Sequence, residues 1–161
     1  MRVRERQQGF SALEITIVVL IIAAIGAIAI PNIIAATRSY KLQIAADALA
    51  QQLNRTRQEA VRANYKRALT VGSNTSTYIG DPDVTGDEES ALSLTTSATI
   101  YPSPANAATT VVYTSRGEMQ LTSTSTPAPK FKVVYSGKMR VVDIDPRGAV
   151  IVGPEQTAVL P

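Results

Sequence analysis

The longest apolar stretch of this 161-residue chain lies close to its N-terminus. No Asp, Glu, Lys or Arg occurs between Ile15 and Thr37, and residues 15–30 (ITIVVLIIAAIGAIAI) are almost wholly apolar. The stretch from Phe10 to Ile30 has 21 residues, and a helix that rises about 1.5 Å per residue over that length crosses the roughly 30 Å hydrocarbon layer of a membrane. The sequence therefore predicts a membrane-spanning helix.

The residues before this stretch read MRVRERQQG, which is polar and basic, and two interpretations fit them. An ordinary secretory signal peptide has a basic start, an apolar core of about 7–15 residues and a small-residue cleavage site, here Ala27-Ile28-Ala29. However, the apolar stretch exceeds that length, and Glu14 places at its start a carboxylate that is costly to bury without a cation. Cleavage after Gly9 would create such a cation, the new amino terminus of Phe10.

The segment from Gly9 to Glu14 (GFSALE) resembles the class III signal of type IV pilins and pseudopilins, although Ser-Ala-Leu replaces the commoner Thr-Leu-Ile. The resemblance implies that a prepilin peptidase cleaves between Gly9 and Phe10 and methylates Phe10. It also implies that Glu14 neutralises the N-terminal amine of a neighbouring subunit as a filament grows. The expected location is the inner membrane, as a single-pass protein with a periplasmic C-terminal head that an inner-membrane platform assembles into a pilus or pseudopilus.

Pro31 follows the apolar stretch by one residue. Inside a continuing helix it removes the hydrogen bond to the carbonyl of Ala27 and kinks the chain. The nearby Gly26 lowers helix stability by roughly 1 kcal/mol relative to alanine. The sequence therefore predicts a helix kink at Pro31, and a second interpretation is that residues 26–31 unwind in a stretched filament.

Beyond Ile34 the apolar residues thin into the stripe of an amphipathic helix, which makes one wall of a core. Two heptad series form it: Leu42, Leu49, Thr56 and Ala63, and Ala46, Leu53 and Ala60. The opposite face is basic, because residues 38–67 hold seven Lys or Arg against Asp47 and Glu59. One interpretation is that this face binds nucleic acid. The other is that its charges are solvated and that those near Arg38 and Lys41 contact anionic lipid head groups.

The amino-acid sequence of this helix is similar to that of the GspH/FimT family of minor pilins and secretion pseudopilins. Residues 48–61 include the run Arg57-Gln58-Glu59-Ala60 near their end, and the extended run Ala68–Val71 follows. With the leader, the resemblance covers residues 1–71. It implies a structural subunit of a type IV pilus or a type II secretion pseudopilus, and its alternative is a minor pilin that binds DNA during uptake.

After Val71 the chain changes to Thr, Ser, Val and Tyr with period-two alternation. Turn residues at 115–117, 136–138 and 145–148 and other short connectors indicate antiparallel pairing. We therefore expect an α+β fold in which a long helix packs against an antiparallel β-rich head, with a leader at 1–9, a transmembrane helix at 10–36 and the amphipathic helix and head at 37–161. The expected strands are residues 68–71, 75–79, 92–101, 109–114, 118–121, 130–135, 139–144 and 149–152.

Histidine and cysteine are both missing from the sequence. This removes the commonest general base, the commonest nucleophile pairs and the usual zinc ligands, so we expect no enzyme and no cofactor. The run Asp81-Pro82-Asp83-Val84-Thr85-Gly86-Asp87 resembles the opening of a calcium loop, but its twelfth position is Leu92 instead of a glutamate. The loop at 81–89 is either a calcium site or, as we expect, a solvated acidic loop.

DNA binding depends on basic residues late in the head. Some members of the GspH/FimT family bind DNA through a Gly-Arg-x-Arg run, and the nearest match here is Gly137-Lys138-Met139-Arg140. By order of elements the family turn corresponds better to Pro146–Ile151, which lacks both arginines of the motif. Residues 1–9 hold three Arg and one Glu, so 13 basic and 12 acidic residues remain from Phe10 onward. Lys138 and Arg140 are therefore predicted to be weak DNA contacts at most.

Overall fold

One long helix and ten short strands make up the computed structural model, which describes residues 11–71, 76–80, 88–89, 98–103, 109–120 and 129–158. The helix, α1, spans Ala12–Ala63 and continues through Pro31. The chain divides into two compact units, Met1–Thr37 and Arg38–Pro161. The first contains the apolar half of α1, and the second contains the rest of α1 together with every described strand.

Both ends of α1 are capped by local sequence. At the start, the hydroxyl of Ser11 accepts a hydrogen bond from the backbone N–H of Leu13 at 3.3 Å, as an N-cap serine does. At the end, Asn64 adopts a left-handed backbone conformation with φ of 51°. The N–H of Tyr65 then reaches the carbonyl of Ala60 at 3.2 Å, and that of Asn64 reaches Val61 at 3.2 Å. This Schellman arrangement ends the helix and turns the chain into the first strand.

The strands form two antiparallel sheets. The first sheet has the order β3-β2-β1-β5-β6 and the second has the order β10-β8-β7-β4, with β9 also paired to β8. In chain order the strands are β1 (Arg67–Val71), β2 (Ser76–Ile79), β3 (Glu88–Glu89), β4 (Thr99–Ser103), β5 (Thr109–Tyr113), β6 (Met119–Gln120), β7 (Lys130–Tyr135), β8 (Lys138–Ile144), β9 (Val150–Val152) and β10 (Gln156–Thr157).

Tight turns connect the hairpins of the second sheet. Ser136 and Gly137 join β7 to β8, and both have positive φ, 50° and 79°, as a type I′ hairpin turn requires. Between β8 and β9, the N–H of Gly148 donates to the carbonyl of Asp145 at 2.7 Å, and Gly148 has a φ of 80°. The predicted turns at these two places are confirmed.

The outer strands of both sheets are short among the residues that the structure describes. β3 and β6 border the first sheet with two residues each, and β10 borders the second with two. β9, which pairs with β8 beside β10, also borders the second sheet and has three residues. The opposite border, β4, has five residues and includes Pro102, which has no N–H to offer a further strand.

An apolar core joins α1 to both sheets within the second unit. The first sheet contributes Leu69, Val71, Val111, Tyr113 and Met119, and the second contributes Ile100, Phe131, Val133, Val142 and Ile144. The helix contributes Leu42, Ala45, Ala46, Leu49, Ala50, Leu53 and Ala60, with Thr56 also buried. The predicted helix packed against an antiparallel β-rich head is confirmed.

The predicted burial of one residue of the stripe is wrong. Ala63 is exposed, whereas the six other positions of the two heptad series are buried. Ala63 has the same helical direction as the buried Ala45, which lies 18 residues and so five turns of about 3.6 residues earlier. Its exposure instead follows from its position, because it is the last residue of α1 and lies beyond Ala60, the last buried residue of the helix. The extra buried residues Ala45 and Ala50 widen that face beyond the predicted stripe.

Two strands were not expected, and several predicted segments lie outside the described residues. The additional strands are β3 and β10, each of two residues at the border of a sheet. The predicted strand at 92–101 is described only from Ala98, where β4 occupies its last part. The predicted calcium-like run Asp81–Asp87 and the leader residues up to Phe10 are outside the described residues.

Candidate functional site

The N-terminal half of α1 presents an exposed apolar surface. Its larger apolar side chains are between 46% and 72% exposed, which is costly in water. None of the most apolar stretch is buried, and by length and composition this stretch is able to cross a membrane. The exposed apolar side chains are Leu13, Ile15, Ile17, Val18, Val19, Leu20, Ile21, Ile22, Ile25, Ile28, Ile30, Ile33 and Ile34.

Glu14 lies in the first turn of this helix half and is exposed. A carboxylate there interacts favourably with the positive end of the helix dipole. Among residues 11–37 it is the only ionisable side chain, so its partner must come from outside this part of the chain when apolar surroundings cover the helix. Gly9 and Phe10, the predicted cleavage and methylation positions, are outside the described residues. Their roles, the role of Glu14 and the kink at Pro31 stay predictions.

Lys138, one of the two predicted DNA contacts, is held by groups of its own chain. Its ammonium group donates to the carboxylate of Glu155 at 2.5 Å and to the hydroxyl of Ser39 at 2.9 Å. The hydroxyl of Ser39 also donates to the same carboxylate at 3.3 Å. We call these three residues the Lys138 cluster. Because Ser39 belongs to α1 and Lys138 to β8, the cluster fastens the start of the buried helix half to the second sheet.

The pKa of Glu155 reflects this arrangement. The hydrogen bond from Lys138 lowers the pKa of this carboxyl below its ordinary value, and the hydrogen bond from Ser39 and the positive charge of Arg140 act in the same direction. Partial desolvation opposes the change in pKa without reversing it. The ionised carboxylate is therefore the form that the Lys138 cluster favours.

Arg140, the second predicted DNA contact, is half-buried in β8. Its Nη1 donates to the carbonyl of Gly153 at 3.4 Å, and its Nε is buried with no hydrogen-bond partner among the described residues. The structure thus places Lys138 and Arg140 two residues apart on one strand, but part of the donor capacity of each is used inside the chain.

A second polar contact fastens the far end of the buried helix half. The Nε of Arg57 donates to the carbonyl of Gly117 at 2.9 Å, and its Nη2 donates to the carbonyl of Arg147 at 3.2 Å. Gly117 belongs to the turn after β5 and Arg147 to the turn after β8, so one guanidinium joins α1 to a turn of each sheet. We call this contact the arginine clasp.

The two turns of the arginine clasp also contact each other. The N–H of Met119 donates to the carbonyl of Pro146 at 3.2 Å. A Cβ added to Gly148 would overlap the carbonyl oxygen of Gly117, and only a backbone shift would relieve that overlap. Glycine at position 148 is therefore required both by its positive φ and by the close approach of the other turn.

Tyr113 lies in the core next to the arginine clasp. Its side chain is fully buried, and its hydroxyl has no hydrogen-bond partner among the described residues. Burial raises the pKa of Tyr113, and the positive charge of Arg57 opposes that rise. The phenol is therefore neutral at physiological pH, and its aromatic ring packs in the core.

Sequence reasoning did not identify the arginine clasp. Arg57 is one of three arginines in the run Arg55–Arg62, and nothing in that run distinguishes it from the other two. The available signal was the repeated Arg-Gly pair at 116–117 and 147–148, since each pair belongs to a predicted turn. The sequence does not show that the two turns meet, because that contact is made between segments of different sheets.

A long N-terminal helix with an apolar exposed half, whose other half packs on antiparallel sheets, is the architecture of type IV pilins, and the chain has a type IV pilin-like fold. Two crystal structures of the type IV minor pilin FimU of Pseudomonas aeruginosa are similar to it. One has a TM-score of 0.51 and 18% identity over 70% of this chain and 93% of that chain. The other, in a second crystal form, has a TM-score of 0.54 and 18% identity over 73% and 92%.

Comparison with known protein families and with curated proteins gives no match. At 18% identity, the likeness to FimU concerns the fold.

Proposed function

We propose that this chain is a structural subunit of a type IV pilus or of a related type II secretion pseudopilus, assembled through its N-terminal helix. The observation that carries the proposal is the exposed apolar half of α1, with Glu14 at its start, on a pilin-like fold. Such a surface is stable in a lipid bilayer or against the helices of neighbouring subunits, and it is costly in water. A filament subunit needs both environments, the membrane before assembly and its neighbours afterwards.

Membership in the GspH/FimT family and processing by a prepilin peptidase belong to the same proposal. The segment from Gly9 to Glu14 supports the processing step, which separates the basic leader from the apolar helix. We propose that the mature protein begins at a methylated Phe10 and spans the inner membrane once, with its head in the periplasm. The proposed partners are other pilins or pseudopilins, the prepilin peptidase, the assembly platform and membrane lipid. A structural role without catalysis or cofactor agrees with a sequence that lacks histidine and cysteine.

The processing step is tested by intact-mass analysis of the protein produced with a prepilin peptidase. The expected mass lacks Met1–Gly9 and carries one additional methyl group. An N-terminus at Ile30 would instead identify an ordinary signal peptide cleaved after Ala29, and the filament proposal would then be wrong.

The assembly step is tested with Glu14→Gln. This variant keeps the apolar surface and the helix but loses the charge that we propose to pair with a neighbouring amine, and burial of that amine without a carboxylate is costly. We expect normal amounts of the variant in membranes and a strong reduction in filaments sheared from cells. Asp47→Asn removes a carboxylate from the other half of the same helix and is expected to assemble normally.

DNA capture is the alternative function. It requires Lys138 and Arg140 to contact phosphates, and the contacts of Lys138 with Glu155 and Ser39 weigh against this use. We therefore expect poor binding of duplex DNA at physiological salt. A gel-shift titration that shows micromolar or tighter binding, abolished by Lys138→Ala together with Arg140→Ala, would favour the alternative.

A further inference from the structure

A basic surface surrounds the arginine clasp at the end of the head where α1 stops. Arg57 and Arg62 line one concave pocket of about 350 Å³ together with Asn54, Gln58 and Val61. Arg116 and Arg147 stand in the two turns that Arg57 contacts, one residue before Gly117 and Gly148. We call Arg57, Arg62, Arg116 and Arg147 the arginine surface.

Three members of the arginine surface are exposed and have no ion-pair partner among the described residues: Arg62, Arg116 and Arg147. The same two turns also contain the exposed carboxylates Glu118 and Asp145. The Oδ1 of Asp145 accepts a hydrogen bond from the backbone N–H of Arg147 at 2.8 Å, so this carboxylate is occupied by its own turn. Four guanidinium groups against two carboxylates leave an excess of positive charge on this surface.

An apolar side chain lies beside these cations. Val61 lines the same pocket as Arg57 and Arg62 and is 50% exposed. Arginine is enriched at protein interfaces, where it lies next to apolar side chains. A surface that follows a phosphate backbone depends instead on many spread cations, and the chain has only one more basic than acidic residue from Phe10 onward.

We propose that the arginine surface docks an acidic segment of a neighbouring subunit in the filament. Its ligand is one or more carboxylates, which the planar guanidinium groups of Arg62, Arg116 and Arg147 bind in a bidentate manner. An apolar side chain next to those carboxylates covers Val61. This inference rests on the proposed filament function and adds to it the surface of the head and the chemistry of the partner.

Cross-linking in cells tests this proposal on the full-length chain. Gln58 lines the pocket and is exposed, so we replace it by the photoreactive residue p-benzoylphenylalanine and irradiate cells that assemble filaments. The expected product joins this chain to another filament subunit, and peptide mapping places the link within or beside a run of Asp and Glu in that subunit.

Charge reversal supplies the specific control. Arg62→Glu and Arg116→Glu, each combined with the photoreactive residue, are expected to lower the yield of the cross-link roughly tenfold or more, since truncated or reversed partners of paired charges lose at least that much affinity. Lys132→Glu reverses a cation on β7, which is not part of the arginine surface, and it should leave the yield unchanged.

The remaining outcomes each overturn the proposal. If the chain enters filaments but no subunit is cross-linked, or the link falls on a segment without carboxylates, the docking surface is wrong while the filament function stands. A cross-link to nucleic acid would show that the arginine surface binds a phosphate backbone and not an acidic protein segment. A chain that never enters filaments, even with its native sequence, would overturn the proposed function and this inference together.

Discussion

The two halves of α1 belong to one continuous helix but use their apolar residues in opposite ways. The first half is the more apolar and is exposed along its whole length, whereas the second half carries most of the charge of the helix and buries a stripe from Leu42 to Ala60. In a protein that works in water alone, the more apolar segment would be the buried one. The core of the head thus covers only the second half of α1, and in the proposed function lipid or other subunits cover the first.

The largest expected effect comes from one leucine in each half. Leu53→Ala opens a cavity in the core and is expected to lower the free energy of unfolding of the head by about 2–5 kcal/mol. Leu20→Ala removes the same atoms from an exposed position and should change it by less than about 0.5 kcal/mol. Urea unfolding of the detergent-solubilised protein, followed by near-ultraviolet circular dichroism of its tyrosines, measures both. Equal losses in the two variants would contradict the different burial of the two helix halves.

A second pair of variants tests the contact between the two turns that Arg57 joins to the second half of α1. Gly148→Ala and Gly137→Ala both force alanine into a positive φ, which costs about 1–2 kcal/mol. At Gly137 a Cβ meets nothing within 4 Å, but at Gly148 it overlaps the carbonyl of Gly117. We therefore expect Gly148→Ala to lower the free energy of unfolding by roughly 1–3 kcal/mol more than Gly137→Ala. Similar losses would show that the two turns do not meet as described.

The arginine clasp provides the third pair. Arg57→Met removes hydrogen bonds to two carbonyls and is expected to lower the free energy of unfolding by about 1–3 kcal/mol. Arg55→Met removes an exposed ion pair with Glu59, in which the arginine side chain is 67% exposed, and should lower it by less than about 0.5 kcal/mol. The same urea titration compares them. A loss at Arg55 as large as that at Arg57 would contradict the clasp.

The smallest effect concerns the Lys138 cluster and depends on pH. Because the pKa of Glu155 is lowered in the folded protein, its ionised form adds stability above the ordinary carboxyl pKa, and this contribution is lost as the pH falls through the lowered value. The unfolding midpoint of the unchanged protein should therefore fall more between about pH 6 and about pH 3 than that of Glu155→Gln. Lys138→Met should remove the same difference. Parallel pH profiles for all three proteins would show that the cluster contributes nothing.

The sequence predicted the elements whose signals are local. The apolar run, the heptad stripe and the Gly-containing hairpin turns each depend on residues within a few positions, and α1, β7 and β8 appear where those signals place them. Ala63 was misplaced because the heptad stripe does not show where the helix passes beyond the core, and Ala63 is the last residue of α1. β3 and β10 were missed because two-residue strands exist only through their partners in the sheet.

The features of the candidate site also divide into those with a local sequence signal and those that depend on residues far apart in the chain. Glu14 and its apolar helix were identified from their order in the sequence. The exposure of the apolar side chains fits a membrane-spanning helix, and the role of Glu14 stays a prediction. The internal contacts of Lys138 were not identified from the sequence, because Ser39 and Glu155 lie 99 and 17 residues away along the chain. A motif read from four consecutive residues gives no information on such partners.

The short outer strands of the two sheets bear on how reversible an assembly of this protein is. A long open strand edge invites backbone pairing with another chain, which leads to aggregates that are slow to separate. Among the described strands, β3, β6 and β10 offer two residues each and β9 offers three, and Pro102 interrupts the edge at β4. In the proposed filament, these described edges therefore favour association through side chains over backbone pairing, and contacts of that kind permit a polymer to be taken apart and its subunits used again.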